Sequence, residues 1–519
     1  MLRLEKLNAQ IKMKKLNLKS FFLLIAFIVV NSQLIGQKSI FEQHIEENGA
    51  TIIQDFAKLL STPNVAYDLP NINKNAEYIV SELQKRGVET KLLRTIGTPP
   101  IVFGYLPAEN ADRTLAFYVH YDGQPADPTN WKHGPWEPKF YDKAMSAGGK
   151  PIPFPKAGDK IDPDNRIYAR SAGDDKAPII GILNALDVIK SNNEKITSNL
   201  IFFFEGQEEA GSKNLREYLE DNRDLIDEID LWMFCDGPVH QSRTPQLVFG
   251  VRGVTGMEIT VYGPNRSLHS GHYGNWAPVP GQMISSLIGS FKDENGNVVI
   301  EGFYDDVEPL TGKEIEALAN VPSIDGALKR ELGIVDTEGS ESLYERLLYP
   351  SLTIRGLSSG NVGQLARNVI PSSATASIGI RLVKGNDPEK MKDLVEKHLE
   401  KEGYFIVRED PSEEVRLKYP KIAKVTRGSG YPAARTSMED PTAQEVVSAV
   451  KTVVGDELIL LPTLGGSLPL YLFTDVLQKP AIIVPVANHD NNQHAPNENL
   501  RMENLWYSIK LMGAIMLME

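Results

Sequence analysis

Three apolar runs in this chain stop abruptly at ionisable side chains. "TLAFYVHYD" (114–122) ends at His120 and Asp122, "NLIFFFEGQEE" (199–209) at Glu205, Glu208 and Glu209, and "IDLWMFCDG" (229–237) at Asp236. Continuous apolar strands of this kind belong inside a largely parallel sheet covered on both faces. In such sheets the functional groups collect at the carboxyl ends of the strands. A carboxylate desolvated there without a partner costs several kcal/mol. Adjacent glutamates directly after a buried strand therefore mark either a solvated turn or a place where cations sit.

The helical patterns between the runs fit this layout. "NAEYIVSELQKRG" (75–87) predicts a helix ending at Gly87, and "APIIGILNALDVIKSN" (177–192) predicts another. After residue 247 the style changes. "QLVFGVRGVTGMEITVYGP" (246–264) and "SSATASIGIRLVKG" (372–385) alternate, as half-exposed antiparallel strands do. "PEKMKDLVEKHLEKEG" (388–403) reads as a helix, "YFIVRED" (404–410) as a strand, and 285–350 as a polar excursion with short helices. From residue 440 the first style returns, with helix "PTAQEVVSAVKTVVG", strand "AIIVPVAN" (481–488) and a last helix from 502.

The predicted fold is α/β: a catalytic domain with a mostly parallel sheet, interrupted by an inserted α+β domain. The expected boundaries are 1–37 for a signal peptide, 38–247 and 437–519 for the two parts of the catalytic domain, and 248–436 for the insert. A chain of 519 residues is too long for one ordinary core.

A net charge of −13 argues against a nucleic-acid surface, which needs clustered Lys and Arg. The single cysteine, Cys235, excludes an intrachain disulfide and a thiolate-built metal site. "KMKKLNLKSFFLLIAFIVVNSQLIGQ" has a basic stretch, an apolar run from Phe21 to Val30, then small and polar residues. That is the layout of a secretory signal peptide, too short for a comfortable membrane span. It predicts a secreted or periplasmic protein with no stable membrane span once cleaved near Ser32 to Gln37, with Met13 as an alternative start. The competing reading is a retained amphipathic or anchoring helix.

Five positions are ligand types at predicted strand ends: His120, Asp174 in "AGDDKA", Glu209, Asp236 and His494 in "NQHAPNE". Each alone is more often a turn residue, a helix cap or a solvated charge. Together, two imidazoles and three carboxylates suit two divalent metal ions, zinc first, with manganese or cobalt as alternatives. One shared carboxylate suffices to hold two metals about 3.5–4 Å apart. Glu208 is then free to act as general base.

"VHYDGQPAD", "RSAGDDKAP", "FEGQEEAGS", "GGSLPL" and "NQHAPNE" carry a resemblance to a known family. The chain resembles the co-catalytic dinuclear metallopeptidases that include carnosine dipeptidase, cytosolic nonspecific dipeptidase, succinyl-diaminopimelate desuccinylase and aminoacylase. The resemblance covers nearly everything after residue 40. It implies that His120, Asp174 and Asp236 bind one metal, that Asp174 bridges to a second held by Glu209 and His494, and that Glu208 is the base. Asp122 would orient the His120 ring, and the Asp174–Asp175 peptide would be cis. In the insert, "NRSLHSGHYGN" and "NVIPSSATASIGIRL" match further segments. They imply that His269 reaches a partner subunit's active site, in a homodimer formed through the inserted lid/dimerisation domain. Asn368 and Arg381 would bind substrate, with Ser467 assisting. Arg381 suits a substrate carboxylate because its planar fork grips both oxygens. Ala169, Ser171 and Ala177 stand where the family usually has glycine.

The implied activity is hydrolysis of dipeptides or short peptides by a metal-bound hydroxide with a glutamate base. The alternatives are deacylation of N-acyl amino acids or desuccinylation at the same site, and an inactive metal-binding protein.

Overall fold

The computed structural model describes residues 39–519. The expected signal peptide, 1–37, lies outside the described residues. Among the described residues no helix is long and apolar enough to cross a membrane.

An eight-stranded sheet organises the chain. In spatial order its strands are Glu89–Leu93, Ile101–Leu106, Asn199–Glu205, Thr114–His120, Leu231–Phe234, Ala481–Ile483, Gln246–Val248 and Ile459–Leu461. The four apolar runs read from the sequence are the four adjacent strands in the middle, all parallel. Antiparallel pairing enters only toward the edges. Successive side chains of a strand point to opposite faces, and here both faces are buried. Phe117, Val119, Phe202, Phe204 and Met233 enter one core, while Tyr118, Phe203, Trp232 and Phe234 enter the other. Each such side chain contributes roughly 1.5–3 kcal/mol by leaving water, which is why these runs read as unbroken hydrophobicity.

Helices Ala177–Ser191 and Met502–Met516 pack together against the first face. Gly181 lets them approach, since a Cβ there would collide with Ser508. The helix Pro441–Val454 begins at Asp440, whose side chain accepts the Ala443 N–H, with proline in its first turn. A small four-stranded sheet, Asn499–Arg501, Arg166–Tyr168, Lys139–Tyr141 and Pro151–Ile152, joins three strands of the long connection after residue 122 to one near the end of the chain and was not foreseen from sequence.

A second, five-stranded sheet is built from Ser351–Ser358, Ser373–Leu382, Gly253–Tyr262, Ile422–Arg427 and Phe405–Val407, in that order. Its core is separate and includes Met257, Ile259, Ile378, Ile380 and Val395. The stretch 246–264, read as one strand, is three. Gln246–Val248 joins the large sheet, Gly250–Val251 pairs with Ala434–Arg435, and Gly253–Tyr262 enters the second sheet. The glycines explain the break. A Cβ on Gly250 or Gly253 would strike neighbouring backbone, so the chain crosses between sheets where only glycine fits.

Around Gly253 the obstructing atoms are backbone atoms of Tyr431, Pro432 and Ala433, which cannot rotate away. Gly253→Ala is expected to lower stability by roughly 1–3 kcal/mol, the usual scale of overpacking. Urea unfolding of both proteins in the same metal state measures it.

Candidate metal centre

The parallel register puts His120 opposite Glu205 on neighbouring strands, so the strand ends form a common floor. His120, Asp174 and Asp236 offer ligand atoms within 4.8 Å of one another, and so do Asp174, Glu209 and His494. Asp174 belongs to both groups. Its Oδ1 lies 2.9 Å from His120 Nε2 and its Oδ2 lies 3.1 Å from His494 Nε2. His494 Nε2 is also 3.2 Å from Glu209 Oε2. The structure thus brings together all five ligand-type residues read from the sequence.

Asp122 has a double position. Its Oδ1 lies 3.4 Å from His120 Nδ1, and its two oxygens accept the backbone N–H groups of Glu208 and Glu209, each at 3.1 Å. One carboxylate therefore fixes both an imidazole and the turn that carries the adjacent glutamates. Glu205 accepts a hydrogen bond from Tyr118 at 2.5 Å beneath this turn.

The loop bearing Asp174 is held from the far end of the chain. Glu498 is fully buried and pairs with Arg170 at 2.7 Å. Its oxygens also accept the N–H groups of Ser171, Gly173 and Asp174 at 3.0–3.1 Å. The Asp174–Asp175 peptide is cis. Ser171 has a φ of 63°, a region that favours glycine. The Glu498 bond on its N–H and the Asn64 amide on its hydroxyl hold it there. Glu498 was not singled out from sequence, although it closes the "NQHAPNE" segment. A lone glutamate on a loop gives no signal of burial.

Electrostatics make the cluster's need explicit. Burial alone would lower the His120 pKa, but the Asp122 and Asp174 carboxylates hold it well above the ordinary imidazole value. Hydrogen bonds that Asp174 and Glu209 accept from the His494 ring raise His494 to about 10. Burial, reinforced by Asp174, pushes Asp236 up to about 6. Glu208 is raised well above the carboxylate range by burial, with Asp236, Asp122 and Glu209 adding to it and His120 opposing. Asp174 moves the other way: burial opposes, but the two imidazoles hold it well below its usual value. A crowd of carboxylates at this depth calls for positive charge. Glu209 Oε1 is buried without a hydrogen-bond partner, and Asp174 Oδ2 faces only the His494 ring. Oxygen atoms left in this way, in a set of nitrogen and oxygen donors, fit divalent cations.

A matching family model, "Peptidase family M20/M25/M40", spans residues 116–518. The chain belongs to this family. It is an enzyme, a metallopeptidase. A Cys-Gly metallodipeptidase, DUG1 of Candida albicans, is 27% identical over 497 residues, covering 90% of this chain and 94% of the relative. The human Beta-Ala-His dipeptidase is 26% identical over 431 residues, covering 82% and 78%. Among solved structures, an M20 family metallo-carboxypeptidase, Sso-CP2 from Sulfolobus solfataricus, superposes with a TM-score of 0.71 at 27% identity, covering 90% of this chain and 98% of that one.

These relatives correct the expectation of a secreted or periplasmic protein. The Cys-Gly metallodipeptidases that align over 90% of the chain are cytosolic enzymes. The export reading rested on the composition of one short apolar run, which lies outside the described residues.

The residues read as substrate-binding fall into two sets. Arg381 Nη1 donates to Ser467 Oγ at 2.5 Å, and neither arginine of the pair Arg381 and Arg252 has a carboxylate partner among the described residues. Arg252, missed from sequence, is buried and bonds the Tyr349 carbonyl and Ser351 Oγ. Burial, then the nearby Arg381, lowers its pKa to about 10. His269 and Asn368 lie instead on a two-stranded ribbon, Leu268–His269 against Val369–Ile370, with the Asn368 carbonyl accepting the Ser270 N–H. Both are exposed, and neither contacts the metal cluster of its own chain.

Asp174→Ala is expected to abolish binding at both groups, because it removes the shared carboxylate. Glu209→Ala is expected to empty mainly one. Elemental analysis of the two purified variants checks this; full occupancy in Asp174→Ala would rule out a shared ligand.

Proposed function

We propose that the protein is a dinuclear metal-dependent dipeptidase, acting on dipeptides or short peptides with a free carboxyl terminus. One observation carries the reading: a single carboxylate, Asp174, faces a different imidazole with each oxygen, while Asp122 holds Glu208 beside the pair. His120, Asp174 and Asp236 would hold one cation and Asp174, Glu209 and His494 the other. Zinc is the first choice for these donors, with manganese or cobalt as alternatives. When bound, the cations supply Lewis-acid polarisation of the carbonyl and a more acidic water.

The chain's own residues do the rest. Glu208 accepts the proton of the attacking water and returns it to the leaving amine. Asp122 keeps the His120 ring and the Glu208 backbone in fixed relation. Arg381, backed by the buried charge of Arg252 and bonded to Ser467, receives the substrate carboxylate. The names of the relatives support a dipeptide substrate, and an unpaired arginine supports a carboxylate. An N-acyl amino acid would present the same carboxylate. Parallel hydrolysis assays of dipeptides, longer peptides and N-acyl amino acids, with each metal added, therefore separate peptidase from deacylase or desuccinylase.

Glu208→Gln keeps the shape but cannot take a proton. Turnover is expected to fall about a hundredfold or more while metal content stays near normal. Wild-type turnover in this variant would remove Glu208 from the mechanism.

The exposure of His269 supports a homodimer through the inserted unit. Trp276 on the same segment is 80% exposed, and Val362 and Leu365, just before Asn368, are 88% and 69% exposed. Apolar surface of this kind beside functional residues favours a partner. A second copy would bring His269 to the other active site, where it donates to the oxyanion forming at the scissile carbonyl. Mixing His269→Ala with Glu208→Gln subunits is expected to restore part of the activity, since one site of each mixed dimer is complete. A tagged, verified mixed dimer no more active than either parent would place His269 within its own chain or outside catalysis.

A further inference from the structure

We propose that Tyr431, backed by Tyr471, forms the wall of the subsite for the carboxyl-terminal residue of the substrate, and that this wall selects large apolar side chains over glycine. This rests on the reading of Arg381 as the carboxylate clamp.

The placement follows from strand register. Val254 is directly opposite Arg381 on one side and pairs with Tyr431 on the other. Tyr431 is tied to Val254 by both backbone bonds, at 2.9 and 3.0 Å. Residues directly opposite in antiparallel pairing share a face of the sheet. Arg381, Val254 and Tyr431 therefore stand in a row on one face. Two strand spacings, about 10 Å, separate the outer two backbones. That is room for one amino-acid residue between two long side chains.

The ring is fixed from behind. Tyr431 stacks on Tyr471, with centroids 5.5 Å apart and planes within 13°. The Arg216 guanidinium lies 6.0 Å from the Tyr471 centroid. Tyr471 follows closely on the loop that presents Ser467 to Arg381, so clamp and wall are built from one segment. Gly253 and Gly430 make the approach possible, because a Cβ on either would collide with the strand it faces. The ring is half-buried, and its hydroxyl has no hydrogen-bond partner among the described residues.

Tyr431 also lies toward the reacting end of the site. Its hydroxyl pKa is raised by burial and then by the Glu208 carboxylate, while Arg381 opposes. The phenol thus feels both the proposed base and the proposed clamp. A residue whose carboxylate sits on Arg381 and whose amide faces Glu208 must pass in front of this ring. An aromatic face held rigidly by a second ring rewards apolar contact, and a hydrophobic pocket discriminates by about 10- to 200-fold for such differences.

The test compares wild type, Tyr431→Ala and Tyr431→Phe, each metal-loaded. For pairs of dipeptides that differ only in ending with leucine or glycine, the wild-type kcat/KM ratio is expected to favour leucine about tenfold or more. Tyr431→Ala should bring the ratio close to one, and Tyr431→Phe, which keeps the stacked ring, should preserve it. Calorimetry of free leucine and free glycine reads the same subsite whichever bond the enzyme cuts. Leucine preference in binding without dipeptide turnover would overturn the dipeptidase reading and leave the wall standing. No leucine preference in wild type, or an unchanged preference in Tyr431→Ala, would overturn the wall.

Discussion

The buried pair of Arg170 and Glu498 joins the two ends of the candidate metal centre. Residues more than 300 positions apart meet at 2.7 Å, fully removed from water. Glu498 also accepts three N–H groups of one loop, so one carboxylate determines where Asp174 stands. Breaking such a pair leaves an uncompensated buried charge, which is costly by several kcal/mol. His494 sits four residues before Glu498. Anchoring the loop that carries Asp174 therefore also anchors the imidazole that faces its outer oxygen.

Asp122 repeats this economy on the other side of the cluster. It restrains His120 and the Glu208–Glu209 turn at once. A cluster arranged this way gains its precision from shared supports: each ligand is held by a group that also holds another. The same arrangement concentrates negative charge, and the raised proton affinities of His120, His494, Asp236 and Glu208 all express it. Protons and divalent cations answer the same electrostatic demand, and the orphaned Oε1 of Glu209 favours cations.

Much of the fold was legible because burial on both faces leaves an unmistakable mark. "LAFYV" (115–119), "LIFFF" (200–204) and "LWMF" (231–234) are apolar at every position since each face of the central sheet meets a core. Where glycine overrides pattern, legibility failed: 246–264 alternates smoothly in sequence yet serves two sheets, because Gly250 and Gly253 let it cross. His120, Glu209 and Asp236 were legible as ligand types following strands, whereas Asp174 and His494, expected at strand ends, stand in loops. Glu498, Arg252 and the stacked pair Tyr431–Tyr471 were not legible, since a charge or an aromatic ring on a loop says nothing about what lies beside it.

The sequence by itself determined the chemistry available: two imidazoles and several carboxylates, some of them placed where strands end, and an overall charge that argues against a nucleic-acid surface. Those are local properties of residue type and periodicity. Only the tertiary structure decided that Asp174 faces both imidazoles, that Glu498 reaches back to its loop, and that Arg381 and Tyr431 share one face of a sheet. Each of these is a contact between segments distant in the chain, fixed by register and packing. It also left His269 exposed and away from the cluster of its own chain. Strand pairing in the insert holds that histidine on a ribbon with Asn368, and no spacing along the sequence could have said where the ribbon points.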